Sequence, residues 1–276
     1  MSTKTLFQLP IPPLGDHVGG SIVVTEPEPA VYLLTINSPP DNRLTTASCT
    51  AILDALDLIE FGGYKPGVVI TTSALPKFYS NGLDLEHALS NQNFIPGVLY
   101  KLFNRFLTYP MPTIALLPGH AFAGGLMLAM HHDYRIMNPT RGFACVNELD
   151  FGVPLKAAMS SIFRLKLPAT TYRDLVLEAR RFSGPAAVAA GLVDGVGDLQ
   201  AALGLVRERG LERKAGTGIY GLMKAEMYRE SVALLGREGW EEGEERDRAL
   251  AEGEGSRREE GERRVGELKG EMKARL

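Results

Sequence analysis

An α/β architecture is what this chain of 276 residues predicts, and three patterns carry the prediction. Short apolar or β-branched runs alternate with segments whose apolar residues recur at helical spacing, the alternation that builds a sheet covered by helices. Glycine and proline clusters stand between these runs, where the chain has to turn. A composition of 45% hydrophobic and 23% charged residues suits one sizeable core, or a core with an appendage.

Ser21–Thr25 and Ala30–Ile36 are β-rich and predict a hairpin around Glu26-Pro27-Glu28-Pro29. Pro39-Pro40-Asp41-Asn42 then breaks the chain. From Leu44 to Ile59 the apolar positions follow a helical repeat that Gly62-Gly63 stops. Val68–Thr72 reads as a buried strand, and after the loop Pro76–Ala88 the residues Leu99, Leu102, Phe103 and Phe106 share a helix face within Val98–Leu107. Thr113–Leu117 is a strand stopped by Pro118-Gly119, and Ala123-Gly124-Gly125 opens an apolar helix through Met130. A short strand at Tyr134–Met137 and helices at Ala157–Leu165 and Thr171–Ala179 follow. Ser183-Gly184-Pro185 starts another helix, with proline in the first turn where its missing N–H is harmless. Helices over Leu199–Arg213 and Ile219–Leu235 pack on the core or on a neighbouring subunit. From Arg237 to Arg275 the sequence is mostly Glu, Arg and Gly, so it should bury little and be a solvated helix or a mobile tail. The expected organisation is a core over 1–198, a helical region over 199–236 and a charged tail over 237–276.

The stretch Met111–Asp133 is the one around which the rest is arranged. The first amides of a helix lack intrahelical partners, so a Gly-Gly opening presents bare N–H groups to an anion or an oxyanion. Composition narrows the alternatives. A net charge of -3 makes no electrostatic case for nucleic acid. Cys49 and Cys145 are far apart without ligand spacing, so neither a disulfide framework nor a zinc site is expected. No apolar run has membrane-spanning length, and a soluble, unsecreted protein is the expectation. There is no nucleophile elbow or phosphate-binding glycine loop in a supporting context.

Three segments in order resemble the crotonase superfamily, the enoyl-CoA hydratase and isomerase group. They are Lys77-Phe78-Tyr79-Ser80-Asn81-Gly82-Leu83-Asp84-Leu85; Gly119-His120-Ala121-Phe122-Ala123-Gly124-Gly125-Leu126 followed by Asp133-Tyr134-Arg135-Ile136; and Phe182-Ser183-Gly184 with Ala187, Ala190 and Gly191-Leu192-Val193. The resemblance spans roughly residues 22–235 and implies a spiral of repeated β-β-α units with a C-terminal helical region, assembled as a homotrimer or a dimer of trimers. It also implies that an acyl-CoA thioester is the substrate, with CoA part of that substrate and no further cofactor. The family holds an enolate oxygen with one backbone N–H from each glycine segment, which carries over to the amides of Leu83 and Gly124. Donors already in place cost no reorganisation when charge develops, and each is worth about 3 to 4 kcal/mol in the transition state.

In the hydratases of this group two glutamates share the water chemistry. The first falls here on Met127, whose thioether moves no proton; the second is kept as Glu148, preceded by Asn147 as in the Δ3,Δ2-enoyl-CoA isomerases. One carboxylate beside an oxyanion hole suffices for a 1,3-proton shift. Dienoyl-CoA isomerases need a further aspartate where this chain reads Val153-Pro154-Leu155-Lys156. Glu148, Leu83 and Gly124 are therefore the catalytic candidates. Lys77, Ser80, Gly82, Asp84, Ala123, Met127 and Phe151 are the substrate-binding ones, with Met127 and Phe151 as apolar walls that would raise the Glu148 pKa. Asp150, two residues on, should face the other way. His131-His132 read as core or subunit-contact residues rather than metal ligands, since adjacent side chains on a helix diverge, and the resemblance implies a structural role for Asp133. His120 sits in the glycine bend as a hydrogen-bonded residue or a substrate contact. A hydratase or thioester hydrolase using Glu148 alone, and a non-catalytic acyl-CoA-binding scaffold, are the competing readings. Ala274-Arg275-Leu276 resembles a peroxisomal address and implies an import receptor as partner and the peroxisomal matrix as location, with the cytoplasm as alternative.

Overall fold

A computed structural model describes residues 4–274 of the chain. Three antiparallel strands, β1 (Lys4–Ile11), β2 (Gly20–Glu28) and β3 (Val31–Asn37), open a seven-stranded sheet. The chain then repeats one unit three times. A strand joins the large sheet in parallel, the next strand joins a separate small sheet, and a helix returns. β4 (Val68–Ser73), β6 (Thr113–Leu117) and β8 (Tyr134–Met137) extend the large sheet, which β10 (Gly195–Val196) completes beside β8. Their partners β5 (Phe78–Ser80), β7 (His120–Phe122) and β9 (Ala144–Cys145) form the small, parallel sheet in the order β5-β7-β9. The helices that close the units are α2 (Leu85–Ser90) with α3 (Tyr100–Thr108), then α4 (Gly124–Met130), then α5 (Ala157–Lys166).

Burial explains the arrangement. β4, β6 and β8 are almost wholly buried and rich in Val, Ile and Leu, as suits strands covered on both faces, with Thr71, Thr72, Thr113 and Arg135 as their buried polar members. One face of the large sheet packs against α1 (Thr46–Phe61), α3, α4 and α5 through Ile52, Leu56, Phe103, Phe106, Leu126 and Phe163. Following α6 (Ala169–Leu177) and α7 (Gly184–Ala189), α8 (Leu199–Arg209) covers the other face, with Ala202, Leu203 and Val206 against Ile70, Ile114 and Leu116. The Thr45 side chain caps α1, accepting from the Ser48 amide.

The expected elements appear with local differences. β1 was not anticipated; it is a mostly exposed edge strand, where Pro10 is tolerated because the outer side needs no ladder donor. The helix expected over Leu199–Arg213 ends at Arg209, because Gly210 takes the left-handed C-cap conformation at φ 56°. The one expected over Ile219–Leu235 is broken at Tyr228 (φ −114°, ψ 22°) into α9 (Tyr220–Met227) and α10 (Arg229–Leu234). The charged segment forms a 38-residue helix, α11 (Arg237–Ala274), that buries no residue. Its base is docked: the Trp240 ring meets Tyr100 edge-on at 5.7 Å, and Lys156 Nζ donates to Glu244 at 2.5 Å and pairs with Asp247 at 3.1 Å. Farther on, Arg258–Glu262 and Arg263–Glu267 pair at i,i+4 spacing. Arg275 and Leu276, which end the expected address, lie outside the described residues.

Candidate active site

The three expected catalytic groups all lie just beyond the carboxyl ends of the three small-sheet strands: Leu83 after β5, Gly124 after β7, Glu148 after β9. Open parallel sheets place ligands at this end, because the loops that leave it converge. Small-sheet pairing fixes their relation. Ala123 N donates to Cys145 O at 3.0 Å. Gly124 follows that rung by one residue on one strand and Glu148 by three on the other.

Two bends bring the amides together. Gly82 sits at φ +85°, a conformation that side chains rarely adopt, and its Cβ would lie 3.0 Å from Phe122 O and 3.2 Å from Gly124 N. A Cβ on Gly124 would lie 3.4 Å from Leu83 N. Since a Cβ is about 2.5 Å from its own nitrogen, the two amide nitrogens are no more than about 6 Å apart. One oxygen can accept from both at ordinary hydrogen-bond length. Among the described residues neither N–H donates to protein. The Leu83 peptide is also oriented from behind: Leu44 N donates to Gly82 O at 2.8 Å, so the opposing N–H points away from that contact. Ala123, immediately before the second donor, holds φ 50° and ψ −124°, a conformation worth about 1 to 3 kcal/mol of strain for a residue with a Cβ.

Glu148 is the candidate base. Its main chain is pinned by Phe151 N and Val153 N, which donate to Glu148 O at 3.1 and 3.0 Å. Its side chain is not: Oε2 is buried with no hydrogen-bond partner among the described residues, and the same holds for the neighbouring Asn147 Oδ1. Burial, only partly offset by the residue's own amide, pushes the Glu148 carboxyl up to about 7. A largely buried carboxyl group with one oxygen left unpaired and a pKa pushed to about 7 is suited to shuttling a proton near neutral pH.

The other expected contacts divide. Met127, 2% exposed, lies one turn beyond Gly124 with its side chain in the hydrophobic core. Ser80 is instead part of the scaffold, its hydroxyl donating to Asn42 O at 2.8 Å and accepting from Gly82 N at 3.2 Å. Asp84 is likewise occupied: Oδ1 caps α2 by accepting from His87 N at 2.6 Å, and Oδ2 meets His17 Nε2 at 2.7 Å. Phe151 is 65% exposed on its 3-10 turn, so it does not wall the carboxyl as expected. Asp150 and Lys77 are exposed, the Lys77 ammonium lying 5.2 Å over the Phe78 ring. His120 Nδ1 accepts from Phe143 N at 3.1 Å, which leaves its proton on Nε2; burial first, then Lys77 and Arg181, lower its pKa. His131 and His132 are fully buried, and Asp133 pairs with Lys224 at 2.8 Å. No group of His, Cys, Asp and Glu among the described residues could hold a metal ion.

The sequence reading missed the segment that carries the first bend. Asn42 donates to Tyr79 O at 3.1 Å, Asn81 N donates to Asp41 O at 3.0 Å, and Arg43 Nη1 donates to both Asn81 O and Leu83 O at 3.0 Å. Pro39-Pro40-Asp41-Asn42 announced only a break; nothing local in it reveals a partner forty residues away.

Two amide N–H groups without protein partners and a buried acid, set at the ends of paired sheets of β-β-α units, form an arrangement suited to chemistry beside a polarised carbonyl. The Enoyl-CoA hydratase/isomerase family profile matches residues 26–210, and the chain belongs to that family. It is 34% identical over 172 residues to Enoyl-CoA delta isomerase 3 of Arabidopsis thaliana, covering 59% of this chain and 72% of that protein. It is 30% identical over 224 residues to the peroxisomal Enoyl-CoA delta isomerase 2 of the same plant, covering 75% and 92%. The solved structure of human mitochondrial delta3-delta2-enoyl-CoA isomerase shares the fold, with a TM-score of 0.67 at 24% identity over 78% of this chain and 85% of that one.

Proposed function

We propose that this protein is a Δ3,Δ2-enoyl-CoA isomerase of fatty acid β-oxidation, moving a double bond from C3 to C2 of an acyl-CoA by a proton shift through Glu148. The unpartnered, buried Oε2 of Glu148 carries the reading. Ionised Glu148 removes a proton from C2 of the 3-enoyl thioester, and the electron pair moves into the carbonyl, whose oxygen accepts from the Leu83 and Gly124 amides. The protonated acid then returns the proton to C4 as the enolate collapses to the conjugated 2-enoyl thioester. Nothing is consumed, so no cofactor beyond the CoA of the substrate is called for. Met127 at the place of the hydratases' first glutamate leaves water without a second carboxylate to activate it.

Purified protein given a 3-enoyl-CoA should form the conjugated product, and Glu148→Ala should lose turnover while still binding the thioester. Hydration of 2-enoyl-CoA instead, or no turnover by the unaltered protein, would replace this reading with the hydratase or scaffold alternatives. The peroxisomal relatives support delivery to that organelle, which a fluorescent fusion tests. Self-association is supported by the exposed stripe Ile219, Leu222, Met223 and Met227 along α9, four apolar side chains at helical spacing; a trimer mass in sedimentation tests it.

A further inference from the structure

We infer that Arg43 is a positioning residue of this active site: its guanidinium clamps the two peptides that flank the Leu83 N–H and so holds one half of the oxyanion hole in place. The inference rests on the proposed role of that amide.

Arg43 Nη1 donates to Asn81 O and to Leu83 O, each at 3.0 Å. These carbonyls belong to the peptides immediately before and after the one whose N–H faces the site. Nε donates to Asp41 Oδ2 at 3.0 Å, and the same oxygen accepts from Asn81 Nδ2 at 2.7 Å, so the fork is itself held. Between the two clamped carbonyls lies Gly82 at φ +85°. Glycine brings the bend within reach of Gly124, but it contributes no stiffness of its own, and a donor that must stay within a few tenths of an ångström of a forming oxyanion has to be braced from outside. The remaining contacts of this loop, Leu44 N to Gly82 O, Asp84 N to Leu44 O, and Asn42 to Tyr79 O and Ser73 Oγ, do not involve the Arg43 side chain. That side chain is 31% exposed. The fold should therefore tolerate loss of the guanidinium, while the donor peptide loses the brace on both of its neighbouring carbonyls and keeps only the Leu44 contact to Gly82 O.

Arg43→Gln removes the fork and Arg43→Lys keeps the charge but not the planar set of donors that reaches Asp41 and both carbonyls together. Steady-state turnover of 3-enoyl-CoA by the full-length protein should show kcat lower by about 10- to 100-fold in both variants, KM within about twofold, and a melting temperature near that of the parent. A second readout needs no turnover. A 3-oxoacyl-CoA, whose C2 proton is acidic enough to be lost to buffer at mildly alkaline pH, should show the ultraviolet band of its enolate when bound to the Glu148→Gln protein, and adding Arg43→Gln should weaken that band. Unchanged kcat in Arg43→Lys together with an undiminished enolate band would overturn the inference, as would a rise in KM at constant kcat. If Arg43→Gln fails to fold, Arg43→Lys decides both measurements. If the parent protein does not turn over 3-enoyl-CoA, the isomerase reading falls and the enolate comparison alone judges the clamp.

Discussion

The two ends of α4 are both buried and both ionisable, yet they are built in opposite ways. At its C-terminal end nearly every polar group is answered. Asp133 accepts from Thr113 N at 2.8 Å, from Thr113 Oγ1 at 3.2 Å and from Lys224, and Lys166 Nζ donates to Met130 O and His132 O at 2.7 and 2.6 Å. His132 meets Thr71 Oγ1 at 2.8 Å. The exception, His131 Nε2, is a lone pair on a ring whose pKa burial lowers to about 3, so no charge is stranded; that ring stacks on Phe103 at 4.2 Å. At the N-terminal end two amides and a carboxyl oxygen are left unanswered, and Ala123 holds a strained backbone. Most polar groups at the C-terminal end find protein partners, and the unanswered ones at the other end are those the proposed reaction would use.

Substitutions at the two ends should separate activity from stability. Glu148→Gln keeps the shape and removes the base, so kcat for 3-enoyl-CoA should fall by about 10²- to 10⁴-fold. Asp133→Ala should do the reverse. It strands Lys224 in the interior, and should lower stability by about 3 to 5 kcal/mol in a denaturant titration while folded molecules keep their kcat.

Titration sharpens the contrast. The folded-state pKa of Glu148 is raised from 4.5 to about 7, so the folded protein holds its proton while the unfolded chain releases it. Stability from this group is full below the unfolded value and is lost as pH rises through about 7. Glu148→Gln, which cannot ionise, should therefore gain roughly 2 to 3 kcal/mol over the parent at pH 8 and nothing near pH 4. In the parent, kcat/KM should climb with pH to a plateau above about 7, as the base ionises. The smallest effect is expected at Asp84→Ala, where loss of the α2 cap should cost about 1 kcal/mol and leave KM nearly unchanged, because both carboxylate oxygens are engaged by protein.

How much of this was legible follows from element length. β6 and β8 were read to the residue: Thr113–Leu117 is a buried, mainly apolar run stopped by Pro118-Gly119, and Tyr134–Met137 ends on the buried Ile136-Met137. The two glycine bends were legible as motifs, and Glu148 through its match, after Asn147, to the glutamate of the isomerases the chain resembles. The small sheet was not: β5 and β7 have three residues and β9 two, too few to show a period, although the three candidate catalytic groups follow directly after them. The scaffold duties of Ser80, Asp84 and Arg43 were hidden for another reason. Their partners at Asn42, His17 and Leu83 lie between 38 and 67 positions away, and a hydroxyl, carboxylate or guanidinium looks the same in sequence whether it faces substrate or backbone.

The account stands on one acid carrying one proton between two carbons of the same molecule. A 3-enoyl-CoA labelled with deuterium at C2, converted by the protein in ordinary water and sampled early, tests that transfer directly. Deuterium recovered at C4 of the 2-enoyl product is the predicted result. Product whose C4 carries only solvent hydrogen, with all the abstracted label released to water, would contradict it.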